Sequence, residues 1–276
     1  MMARTLPHPD PRAMHLPIDL NLLLLAFGGL AGLTTVLFGF GGGFVAVPLL
    51  YAMFTAVGTA PAQAMHVAVA TSTAVMIVGA GFASLRHARA GSLDMGQLRP
   101  LILPVSLGAV IGARAAISFG GEGLRAAFIA YLGLTILDCL FRPGFMTRAA
   151  RPARPMRRRA AALIGLGIGA VAAFLGVGGS VMTVPLLRRR GADMTTATAM
   201  ASPLSLPMAV AGTIGYVGLA EGATGYVDAG AFLALAIGST IGVRLSAPLI
   251  GRLPDRLHAR AYLVLLTLVL VVMVLL

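Results

Sequence analysis

Residues 39–50 read GFGGGFVAVPLL, and residues 176–187 read GVGGSVMTVPLL. Gly39, Gly41, Gly42, Val47, Pro48, Leu49 and Leu50 recur 137 positions later. Both copies lie in long apolar stretches, where glycine clusters and a proline are expected to break a helix. A helix broken inside a membrane frees backbone N–H groups that lipid cannot satisfy. Those groups, with the positive end of the helix dipole, are a ready receptor for an anion. The candidate anion-binding residues are therefore Gly41, Gly42 and Gly43 in one copy and Gly178, Gly179 and Ser180 in the other. Glycine lets an anion approach the backbone, and Ser180 adds a hydroxyl. The same glycines also fit a plainer role, allowing two helices to cross closely. Thr71, Ser72 and Ser202 can supply further hydroxyl donors to the same site, or simply bond back to their own helices.

Two arginines stand inside apolar spans. Arg114 follows Gly108 and Gly112, and Arg244 follows Gly238 and Gly242, in the same G-x-x-x-G-x-R spacing 130 positions apart. Read as sharing a face with those glycines, the arginines would sit where a neighbouring helix comes close. A guanidinium offers paired donors to an oxoanion; it also snorkels readily to headgroups, and both readings fit. Asp138 is the most deeply placed carboxylate, a candidate for proton coupling or for pairing with Arg142 one turn on. His66 is the only histidine early in a span, a proton carrier or a packing residue. Asp94 and Asp228 are expected at helix starts, and Glu122 and Glu221 in loops.

The elements that position these groups follow from composition. Apolar residues make up 58% of the chain and charged residues 11%, with a mean hydropathy of +0.92. A soluble domain carries about 25% charged residues, so the chain reads as an all-α polytopic membrane protein. Apolar stretches cover 20–50, 63–85, 98–119, 123–141, 160–187, 194–219, 229–250 and 261–276. These give eight membrane helices, or up to ten if each broken segment folds into two passes. The expected organisation is a disordered tail over 1–19, a transmembrane repeat over 20–141, an arginine- and proline-rich cytoplasmic linker over 142–159, and a second repeat over 160–276. Thr71-Ser72 matching Ala201-Ser202 adds a third landmark to the duplication.

The orientation of the repeats is open between two arrangements. Four crossings per half make them parallel. Five make them inverted, which sends Arg188–Arg190, Arg252, Arg256 and Arg260 to the linker side and leaves only Arg4, Arg12 and Arg125 opposite. The positive-inside rule favours inversion; the shortness of Val181–Leu187 then requires a re-entrant half-helix.

Several classes are excluded or made remote. All 21 basic residues are arginine, so no P-loop lysine exists and direct ATP drive is ruled out. The net charge of +12 comes from arginines flanking spans, a topology signal rather than a nucleic-acid footprint. Cys139 is the sole cysteine, which excludes an intramolecular disulfide and a cysteine metal site. An intramembrane serine protease would need a base beside Ser180, and Gly43 stands at the duplicate position, so the chain is not read as an enzyme. No metal or cofactor is called for.

The paired glycine-rich and V-P-L-L elements, followed by Ala70-Thr71-Ser72 and a weakened Ala201-Ser202-Pro203, resemble the sulfite exporter TauE/SafE family over about residues 20–276. That resemblance implies a transporter of sulfur-containing anions such as sulfite, sulfonates or thiosulfate. The expectation is a multi-pass protein of the bacterial inner membrane that exports a small anion by alternating access, with homo-oligomerisation open to it. An anion channel and a non-transporting membrane scaffold are the competing classes.

Overall fold

A computed structural model of the chain describes residues 18–91, 93, 95–141, 145, 158–217, 225–249 and 252–276. Residues 1–17 of the expected tail, most of the linker, Arg142, Asp94 and Glu221 lie outside the described residues, while residues 18 and 19, read as tail, open the first helix. Within them the chain is helical: α1 (Ile18–Phe38), α2 (Gly43–Ala56), α3 (Pro61–Arg89), α4 (Met95–Ser118), α5 (Gly121–Phe141), α6 (Arg158–Leu175), α7 (Ser180–Arg189), α8 (Met194–Val217), α9 (Ala229–Ser246) and α10 (Asp255–Leu275). Eight are long and apolar enough to cross a membrane; α2 and α7 are shorter. Helix α6 starts at Arg158, inside the segment read as linker, and Glu122 stands in the first turn of α5 rather than in a loop.

Contacts between helix ends sort the bundle into two faces. At one, His66 near the start of α3 meets carbonyls at the end of α4, and Arg125 near the start of α5 bonds the Met273 carbonyl near the end of α10. At the other, Arg188 and Arg189 at the end of α7 meet Asp255 at the start of α10 and Asp138 near the end of α5. The first is the terminal face, where α1 begins and α10 ends; the second is the linker face. Helix α1 runs from the terminal to the linker face, and α6 runs the other way.

Glycine decides which helices pair. A methyl group on Gly108 or Gly112 of α4 would overlap the Leu166 or Ala170 carbonyl of α6. One on Gly238 or Gly242 of α9 would overlap the Leu25 or Gly29 carbonyl of α1. Residue numbers rise together in both pairs, so each is parallel, and each joins a helix of one half to a helix of the other. Without a hydrophobic force between helices in lipid, this close backbone approach carries the packing.

The predicted helix breaks are present, but glycine rather than proline makes them. Gly41 and Gly42 take φ of 68° and 90°, and Gly176 and Gly178 take 68° and 74°, values that L-residues rarely adopt. Pro48 and Pro185 lie inside α2 and α7. A proline within a helix frees only the carbonyl four residues back; for Pro185 that is Val181, which accepts the Tyr262 hydroxyl at 3.4 Å.

The helix pairing makes a stability prediction. Gly112→Val and Gly242→Val should each destabilise the protein by at least about 1–3 kcal/mol, read as a lower unfolding temperature in detergent. Gly133→Ala and Gly167→Ala, where an added methyl meets nothing within 4 Å, should be neutral or slightly stabilising.

Candidate substrate site

Helices α2 and α7 hold 14 and 10 residues, or about 21 and 15 Å at 1.5 Å per residue. Neither can cross about 30 Å of hydrocarbon, so each begins inside the layer. The two beginnings meet. A methyl group on Gly43 would stand 2.8 Å from the Gly176 carbonyl oxygen, and one on Gly178 would stand 2.7 Å from that of Phe40. Met76, midway along α3, fills the space between them: its sulfur would lie 2.6 Å from a Gly43 methyl and 3.1 Å from a Gly178 methyl. Gly41, Gly42, Gly43, Gly178, Gly179 and Ser180 are all buried at this crossing. The first-turn N–H groups of a helix have no acceptor within it, so two positive helix ends converge on one apolar-walled point. Phe40 stacks on Phe44 at 4.6 Å and closes one side with Tyr262.

The hydroxyls divide into two sets. Ser72 is pinned: its hydroxyl is 2.9 Å from the Val69 carbonyl and 3.1 Å from that of Gly176, so it ties α3 to the second break. Thr71 accepts the Asp228 backbone N–H at 3.0 Å, which joins α3 to the start of α9. Asp228 caps α9 through the Ala231 N–H at 2.7 Å, as expected for an acid at a helix start. Ser180 and Ser202 are fully buried and their hydroxyls lack a hydrogen-bond partner. So is Ser239 of α9, whose hydroxyl would lie 3.7 Å from a methyl on Gly42 and 3.0 Å from one on Gly79. A buried unpartnered hydroxyl costs about 1–3 kcal/mol, and two of the three lie at the crossing itself: Ser180 in the first turn of α7 and Ser239 beside Gly42.

Sequence reading missed Ser239. Its counterpart 130 positions earlier is Ala109, so duplication gives no sign of it.

The two span arginines do not join the crossing. Both are exposed, Arg244 in the last turn of α9 and Arg114 one turn before the end of α4. The reading that put them on the glycine face is corrected by helix geometry. Two residues turn a helix by about 200°, so Gly112 and Gly242 face the neighbouring helix while Arg114 and Arg244 face outward. His66 and Asp138 lie at opposite faces of the bundle. The His66 ring nitrogens contact the carbonyls of Ala62 at 2.8 Å and Phe119 at 2.8 Å. Asp138 pairs with Arg189.

The most buried charge is Arg188, fully enclosed. Its guanidinium bonds both Asp255 oxygens at 3.0 and 2.5 Å and the Phe145 carbonyl at 2.9 Å. Asp255 in turn accepts the Met194 N–H at 2.8 Å. This network fastens the end of α7 to the starts of α8 and α10, and so fixes where α7 begins.

Eight helices long and apolar enough to cross, packed around two short ones, define a multi-pass membrane protein. Residues 24–273 match the model of the sulfite exporter TauE/SafE family, and the chain belongs to that family. It is also 24% identical over 243 residues to a protein of Haemophilus influenzae described as a probable membrane transporter protein, covering 84% of this chain and 90% of that one.

The Arg188 network is open to direct test. Arg188→Met should destabilise the protein by about 1–3 kcal/mol, since it removes charge-assisted bonds to a part-exposed carboxylate and leaves the Phe145 and Ala192 carbonyls without their donor. Arg188→Met with Asp255→Leu should recover part of that loss, measured by thermal unfolding in detergent.

Proposed function

We propose that this chain is a secondary transporter that exports small sulfur-containing anions across the bacterial inner membrane by alternating access. The observation that carries the reading is the meeting of two helix N-termini inside the membrane beside the unpartnered buried hydroxyls of Ser180 and Ser239. An isolated anion in low dielectric costs many kcal/mol unless donors replace its water. The first-turn N–H groups of α2 and α7, with Ser180, Ser202 and Ser239, are such donors. The expected contributions of Gly41, Gly42, Gly43, Gly178 and Gly179 come from their backbone. Thr71 and Ser72 act by holding the breaks in place. Family membership supports transport; sulfite, sulfonates and thiosulfate are the substrate classes proposed on that basis.

We further read the halves as inverted repeats, with the linker cytoplasmic and both ends of the described chain outside. The opposite directions of α1 and α6 support this, as does the reciprocal pairing of α1 with α9 and α6 with α4. In this arrangement the breaks lie on the pseudo-twofold axis, where rocking one unit against the other exposes the site to each side in turn. An inside-negative potential favours anion exit by about 2.3 kcal/mol per charge per 100 mV, so export needs no proton relay through His66 or Asp138.

Flux in proteoliposomes tests the assignment. The protein should carry sulfite, thiosulfate or a small sulfonate saturably, in preference to chloride. Replacing Ser180, Ser202 and Ser239 together by Ala should lower that flux at least about tenfold, about 1.4 kcal/mol, without lowering the unfolding temperature. Non-saturating conductance would indicate a channel instead. No flux from folded, inserted protein would favour a scaffold and sink the transport assignment.

A further inference from the structure

Between the linker-face halves of α3 and α9 lies a cavity of about 240 Å³. Its walls include Phe82, Arg86 and Arg89 of α3 and Thr240, Val243 and Arg244 of α9. None of the three guanidiniums has a carboxylate partner among the described residues. The cavity's inner limit is informative. One turn deeper, α3 and α9 meet where a methyl on Gly79 would lie 3.0 Å from the Ser239 hydroxyl and 2.7 Å from the Gly41 carbonyl. Val36, Ala83 and Val243 form a small apolar cluster of their own, apart from the main core, between the cavity and the first break.

The other face is built differently. The residue 130 positions after Arg86 is Tyr216, fully buried, with its hydroxyl donating to the Ala173 carbonyl at 2.6 Å. Beside it a methyl on Gly215 would stand 2.8 Å from the Ala113 side chain of α4. Thus, among the described residues, α3 and α9 part at the linker face, while α8 and α4 meet closely toward the terminal face. Arg244 has a counterpart in Arg114 of α4, exposed near the terminal face, whereas Arg86 is matched by the buried Tyr216.

We propose that the cavity between α3 and α9 is the loading vestibule for the transported anion. Arg86, Arg89 and Arg244 concentrate a small oxoanion at the linker face, and Ser239 is the first donor it meets beyond the Val36–Ala83–Val243 plug. Like charges around a low-dielectric cleft raise the local concentration of a counter-ion by about 10–10³-fold. This inference rests on the reading of the crossing as an anion site and adds the side of loading and the residues that set it. A phospholipid phosphate has the same charge chemistry as a small oxoanion, and the test separates the two.

Cys139 is the sole cysteine and is buried, so Cys139→Ser gives a clean background for Thr240→Cys. Anionic and cationic methanethiosulfonate reagents are applied to either face of the protein in vesicles, with rates normalised to a free thiol. The vestibule requires modification from the linker face only and a preference for the anionic reagent of about tenfold or more. That preference should collapse in the Arg86→Gln, Arg89→Gln, Arg244→Gln variant, and in graded form in Arg89→Gln alone, with unfolding temperatures unchanged. A small sulfonate should protect Thr240→Cys in vesicles of phosphatidylcholine alone. Modification from the terminal face overturns the proposal, as does a preference that survives loss of the arginines. So does protection that appears only when phosphatidylglycerol is added. Anion flux is measured on the same vesicles before labelling. Charge preference lost with flux intact removes the vestibule alone. Preference retained with no flux upholds the arginine-lined cavity as an anion-concentrating site but overturns its role in loading, together with the transport reading.

Discussion

A backbone N–H group in a bilayer must find a partner within the protein, and this structure depends on how it breaks that rule at two places. Stopping a helix in mid-membrane exposes donors that lipid cannot satisfy. The chain meets the cost by bringing both interruptions together. Gly43 and Gly178 lie close enough to the opposite break that even a methyl group would collide with its carbonyls, and Met76 seals what remains. The glycines therefore have two duties at once: they supply the backbone angles of the break and the closeness that buries it.

Everything else serves to hold those breaks in register. The α1–α9 and α4–α6 pairs lock each broken helix to the opposite half through glycine. Ser72 ties α3 to Gly176, and the Arg188–Asp255 pair anchors the far end of α7. At the matching positions of the first half, Tyr51 and Arg125 take the places of Arg188 and Asp255, and there the guanidinium sits 5.4 Å from the ring centre. One half uses an ion pair and the other a cation–π contact for the same fastening. Such differences between matched positions matter functionally, because a symmetric transporter has no built-in side. The arginine-lined opening between α3 and α9, set against the sealed Tyr216, is the clearest of them.

The architecture was largely legible in the sequence, and the reasons are physical. Eight spans follow from apolar length, and the breaks follow from glycine clusters where a helix needs none. Gly28 and Gly32 recur as Gly165 and Gly169 at the same 137-residue offset as the breaks, so even the helix pairing had a signal. Side-chain direction was less accessible. Arg114 and Arg244 were placed on the glycine face by proximity in sequence, although two residues carry a side chain to the far side of a helix. Proline was credited along with glycine for the breaks, yet Pro48 and Pro185 lie inside α2 and α7 and the glycines alone take the positive φ angles. Asp138 finds Arg189, 51 positions away, a partner no local pattern announces. Ser239 escaped notice because it is not duplicated, and its part in the site comes from tertiary packing alone.

The central claim is that the crossing of the two breaks is an anion receptor. It is tested most directly by locating a bound oxoanion that scatters anomalously. Crystals of the protein grown in lipid and soaked with selenite should show a selenium peak at the crossing, within hydrogen-bonding reach of the first turns of α2 and α7 and of Ser180 or Ser239. Selenium found only at surface arginines, or absent from the crossing at saturating selenite, would contradict the account.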